Sequence, residues 1–143
     1  MKKLITVIML FVSCICISGC SRANQKTIWN MDYIQGKGGG VIYCSNKNKD
    51  IYQNATIKNI VCILQESSIT ITDKDTGDEW IGNCKIIDED SKSTLYEVIF
   101  DNNETGHLVK SFTKYADNTQ HDTLIISCGE YSLNLTENKG ETN

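Results

Sequence analysis

Five runs in the second half of the chain alternate apolar and polar residues with a period of two: "SITITD" (68–73), "WIGNCKII" (80–87), "LYEVIF" (95–100), "TLIISC" (123–128) and "YSLNL" (131–135). A pleated strand sends successive side chains to opposite faces, so this pattern describes strands with one face buried and one wet. The runs are rich in β-branched and aromatic residues, which fit a pleated half-buried surface. One face of them collects Trp80, Ile86, Tyr96, Val98, Phe100, Leu124, Ile126 and Leu133, the expected inward set.

Between the runs stand segments with turn chemistry, "DKDTGD", "DEDSK", "DNNETG", "ADNTQHD" and "GE". Asp, Asn and Ser bond their own backbone, and Gly77 and Gly106 are expected to supply the positive φ of tight hairpin turns. "GVIYCS" (40–45) and "ATIKNIVCILQ" (55–65) bring the total to about eight strands, mostly joined by short links. No segment of helix length follows a 3.6-residue period. The expected fold is therefore all-β, an antiparallel meander closing into a small up-and-down barrel, which removes exposed edges. A β-sandwich is the alternative. With so many large inward residues, a barrel of this size is expected to be filled by its own side chains.

The first twenty residues have a different grammar. Met1-Lys2-Lys3 precedes the apolar stretch Leu4 to Ile17, and "ISGC" closes it at Cys20. An apolar stretch of about 14 residues suits a signal-peptide core, whereas a membrane-spanning helix needs roughly 20. "ISGC" resembles the lipobox of bacterial lipoproteins: an aliphatic residue, two small residues and a cysteine. The resemblance implies cleavage before Cys20, a diacylglycerol on its sulfur, and attachment to the outer face of the cell membrane, or to an outer membrane in a host that has two. A retained signal anchor and an ordinary secretory signal are the competing readings. On the lipoprotein reading, residues 1–19 are the signal peptide, 20–27 the lipidated N-terminus and tether, 28–136 a single β-domain, and 137–143 an expected disordered tail.

Removing residues 1–19 leaves 124 residues, enough for one core. It also leaves 12 basic against 18 acidic residues, a net charge of −6 with histidine neutral. Such a balance disfavours nonspecific nucleic-acid binding or adhesion to anionic lipid through a basic patch, and no nucleic-acid partner is expected. Four of the seven cysteines remain beyond Cys20: Cys44, Cys62, Cys84 and Cys128. In an exported domain they are candidates for disulfides with three possible pairings, and equally for buried free thiols. Their wide spacing argues against zinc.

No segment carries a recognisable catalytic pattern. The glycines of "GKGGG" (36–40) lead into a strand, not into the helix that a phosphate-binding loop requires. "DKDTGDE" lacks the ligand register of a calcium loop and reads as an acidic hairpin. His121 and Asp122 are sequence neighbours and point oppositely on a strand, and Cys128 with His121 is the remaining nucleophile–base combination. We expect no enzyme, no catalytic residue, no metal and no cofactor.

The meander and its aromatic-bearing strands resemble the lipocalin-like domains of bacterial lipoproteins. "IWNMDYIQGKG" (28–38) is similar to the lipocalin Gly-x-Trp signature around Trp29, with Thr27 standing where the glycine would be. Two binding roles follow. In one, the outer surface engages a macromolecular or envelope partner, protein or polysaccharide, with Trp29, Tyr33 and Tyr52 as exposed contact aromatics. In the other, implied by the lipocalin likeness, the barrel carries a small apolar ligand. The sequence slightly favours the macromolecular role, because the core is expected to be full.

Overall fold

A computed structural model describes residues 26–140. The lipobox and Cys20 lie outside the described residues, as do the last three positions of the polar tail. Ten strands form one sheet: β1 Thr27–Gln35, β2 Val41–Cys44, β3 Thr56–Ile57, β4 Ile60–Leu64, β5 Ser68–Asp73, β6 Glu79–Glu89, β7 Ser93–Phe100, β8 Thr105–Lys114, β9 Gln120–Cys128 and β10 Tyr131–Glu137.

Eight of them close a ring. From β4 to β10 each strand is antiparallel to the next, and β1 completes the circle between β10 and β4. Closure rules out the sandwich alternative, because no edge remains between β10 and β1. The first half of β1, Thr27–Asn30, pairs with β4, and its second half, from Tyr33, pairs with β2. The excursion from β2 to β3 passes through a 3-10 turn at Asn46–Asn48 and returns parallel to β2, the one parallel pairing in the sheet. Asp32 anchors the excursion at a bulge in β1. Its carbonyl accepts from Ser45 N at 2.9 Å and Asn48 Nδ2 at 3.2 Å, while its carboxylate accepts from the Thr136 hydroxyl of β10.

The hairpins fall where the polar clusters stand. Gly77 takes φ +82° in the β5–β6 turn, as expected. Gly106 does not: it lies inside β8, and Asn103 takes the left-handed position, φ +64°, in the β7–β8 turn. Gly106 is required for a different reason, since a Cβ there would sit 2.6 Å from the Ser127 carbonyl oxygen. The strand β8 itself was not among the alternating runs.

Inward side chains fill the middle of the barrel. Ile69, Val98, Leu108, Leu124 and Leu135 are all fully buried, and Trp29 lies among them. Gly82 makes this packing possible, because a Cβ there would come 2.7 Å from Val98 Cγ1, 3.1 Å from Phe100 Cδ1 and 3.2 Å from Ile69 Cγ2. Most of the expected inward set is inside. Trp80 and Ile86 share the inward parity but are 42 % and 47 % exposed. Pairing with β5 spans Glu79–Asn83 only, so Trp80 stands near one mouth of the barrel, and Ile86 lies beyond the end of β5 next to a bulge.

Candidate functional site

The two ends of the barrel differ. At the end where β1 begins, Trp29 acts as a plug. It is 0 % exposed, its Nε1 donates to Thr27 Oγ1 at 2.9 Å, and Lys110 Nζ lies 5.8 Å from its ring centroid. Inward acids complete this end. Asp122 meets Lys139 at 3.1 Å, and Glu137 is held above the usual carboxyl range by burial and by the adjacent Asp122. Trp29 was expected to be an exposed contact residue; its place on an inward strand position between Cys62 and Glu137 removes it from any outer face. Tyr33 and Tyr52 are partly exposed and pack against each other, with ring centroids 5.2 Å apart, where the β2 excursion meets β1.

At the opposite end the barrel is not full. A cup with a cavity volume of about 720 Å³ opens there. Its wall is apolar: Ile34, Ile60, Ile71, Phe100, Ile126 and Leu133 from six strands. Trp80, Tyr43 and Tyr131 stand around it as aromatic rim, and Lys58, Glu104 and Glu130 supply charge. The expectation of a completely filled interior is therefore corrected. The large residues fill the middle layers, whereas the wall of the cup is made chiefly of Ile and Leu side chains, and its rim of turn residues such as Asn103, Glu104 and Gly129 that leave the mouth open.

One rim charge, on Lys58, is already neutralised. Lys58 Nζ bonds Asp73 Oδ2 at 2.7 Å, and Asp73 is 1 % exposed. That bond holds the Asp73 carboxyl below its usual range, and the Asp75 backbone N–H, 3.0 Å from Oδ1, adds to the effect. The same bond raises the Lys58 ammonium, which also sits 5.1 Å from the Tyr43 ring centroid. Asp73 additionally organises its turn, its carbonyl accepting from Gly77 N at 2.7 Å. The "DKDTGDE" segment is thus a hairpin pinned by one buried acid. Among the described residues, no three His, Cys, Asp or Glu side chains cluster to hold a metal.

The four cysteines are free thiols. Cys44 and Cys62 pair with Tyr33 and Trp29, positions four residues apart along the same edge of β1. At about 3.3 Å per residue they stand on the order of 13 Å apart, too far for a disulfide between them. Burial raises the Cys62 thiol, with Cys84 adding to it, and raises Cys84 to about 11. Cys128 lines the cup, its thiol raised by burial and by the Glu104 carboxylate 3.9 Å away. His121 is outward and exposed against Tyr115, seven residues along β9 from the inward Cys128, so the two do not form a nucleophile–base pair. His107 is also outward and exposed.

The sequence named Trp80, Phe100, Ile126 and Leu133 among inward residues, and all four line the cup. It placed Tyr131 on the same face as Leu133 and Leu135 without naming it in the inward set, and it missed Lys58, Tyr43 and Glu104, which border turns or the β2–β4 excursion. Among the described residues no helix is long and apolar enough to cross a membrane. No family model, no curated protein and no solved structure matches the chain. The class of protein that fold and site define is a closed antiparallel β-barrel with one apolar mouth.

Proposed function

We propose that this protein is a noncatalytic carrier of a small, largely apolar ligand, held outside the cytoplasm by a lipid on Cys20. The observation that carries the binding half is the cup of about 720 Å³ with an apolar wall and a few polar groups at the rim. Small-molecule sites are concave, mostly apolar and about 300–1,000 Å³ in size. Burial of apolar surface drives entry, and the filled middle layers stop a ligand from passing through the barrel. The sequence favoured an outer-surface macromolecular role on the premise of a full core; the cup shifts the balance to the carrier. The lipid half rests on "ISGC" and on the physics of anchoring, since two acyl chains hold a protein stably at a bilayer where one does so marginally.

The test is binding of a neutral fluorescent probe, N-phenyl-1-naphthylamine. It should bind one to one and change the emission of Trp80, which borders the cup, while Trp29 stays silent. Ile60→Trp, which extends a larger side chain from the cup wall, should weaken binding at least tenfold while the melting transition remains cooperative. Absence of saturable binding, or equal binding by the blocked variant, overturns the carrier reading.

A further inference from the structure

We infer that the cup selects apolar ligands that carry a positive charge, such as an alkyl or aryl ammonium; this rests on the carrier reading above. Three charged side chains stand on the cup lining, Lys58, Glu104 and Glu130, and they are not equivalent. Lys58 is committed to Asp73 at 2.7 Å, and drawing it away would leave a fully buried carboxylate without its counterion. Glu130 is committed to Lys37 at 2.5 Å. Glu104 has no cationic partner among the described residues: it accepts from the Asn102 amide at 2.9 Å and from the Cys128 thiol at 3.9 Å. The unspent charge on the cup lining is therefore negative.

The aromatic rim points the same way. Trp80, Tyr43 and Tyr131 line the same cup as that carboxylate, with Phe100 in its wall. Aromatic faces attract cations, and Lys58 already lies 5.1 Å from the Tyr43 ring centroid. A ligand with an apolar body in the Ile/Leu/Phe wall would place an ammonium at the mouth, where a carboxylate and ring faces meet it. An anionic head of the same size would meet Glu104 without a free cation to offset it.

Competition against bound N-phenyl-1-naphthylamine by three compounds with straight alkyl chains of nearly equal length, below their micelle concentrations, decides the matter. Decyltrimethylammonium should displace the probe at about tenfold lower concentration than decanol, and decanoate should be weaker than decanol. Glu104→Gln should shrink the ammonium advantage to about twofold, whereas Glu97→Gln, which removes an outward charge on β7, should leave it intact. Decanoate binding as well as the ammonium, or an advantage that survives Glu104→Gln, overturns the charge selectivity while leaving the carrier reading standing. Failure of probe, decanol and ammonium alike overturns both.

Discussion

Replacing Gly82 with alanine should strain the barrel at its tightest internal point. The added Cβ would lie 2.7 Å from Val98 Cγ1, with Phe100 Cδ1 at 3.1 Å and Ile69 Cγ2 at 3.2 Å. Carbon atoms pack favourably at about 3.5–4.0 Å, so the Val98 methyl must retreat by about 1 Å. Val98 is β-branched and stiff at χ1, fully buried, and carried on a strand paired on both sides. Relief therefore has to come from backbone movement in β6 or β7. Overpacking of this kind costs about 1–3 kcal/mol. For a domain of this size that is a fall in Tm of roughly 4–12 °C, at about 4 °C per kcal/mol. Thermal unfolding followed by circular dichroism measures it. The double variant Gly82→Ala with Val98→Ala separates the steric cause from a general dislike of alanine. Val98→Ala alone removes about two methylene equivalents, about 1.6 kcal/mol before any cavity penalty. If the clash is the cause, the double variant should be more stable than the sum of the singles by about 1–2 kcal/mol. A melting point within 1–2 °C of the parent for Gly82→Ala, or additive effects in the cycle, would refute the reasoning.

Three other outcomes are expected. The Asp73 carboxyl titrates below its usual value in the fold, so its contribution is fully present above about pH 4 and is lost as pH falls through the folded-state value. The Lys58 ammonium titrates above its usual value, so its contribution is present below about pH 10 and is lost as pH rises further. Tm measured from pH 2 to 11 should accordingly fall at both extremes, and Asp73→Asn should flatten the acid side relative to the parent; an unchanged acid limb contradicts the role given to Asp73. Alkylation followed by mass spectrometry at pH 7.5 should label Cys128 slowly in the native protein and Cys44, Cys62 and Cys84 only in denaturant, without any reductant. A thiol that stays unlabelled in denaturant until reductant is added would show a disulfide. Cys20→Ala should abolish incorporation of labelled fatty acid and leave the precursor uncut, and undiminished labelling would remove the lipid anchor from the proposal.

Alternation is a local property, and it was legible wherever a strand is regular. In β5, β7, β9 and β10 the buried residues are those the period of two selects, because a pleat fixes side without reference to the partner strand. β8 escaped notice because its inward series is Gly106, Leu108, Lys110 and Phe112, in which a glycine and a lysine interrupt the apolar face. β1 was obscured by the bulge around Asp32, which shifts the inward parity between Met31 and Ile34. The site was harder to read than the strands. Of the cup wall, Phe100, Ile126 and Leu133 were visible as inward and Ile34 and Ile60 were not, and nothing local marks Glu104 in a turn as sharing a mouth with Trp80 on another strand.

The amino-acid order by itself determined the all-strand class, the turn positions and much of the inward set, since each depends on a few neighbouring residues and the geometry of a single pleat. Only the tertiary structure decided that β10 meets β1, that Trp29 closes one end, and that the other end stays open beside Glu104. Those outcomes depend on strand lengths, register and ring closure, which bring together residues as far apart as Trp29 and Glu137. Distances across a closed barrel are set by all of its strands at once.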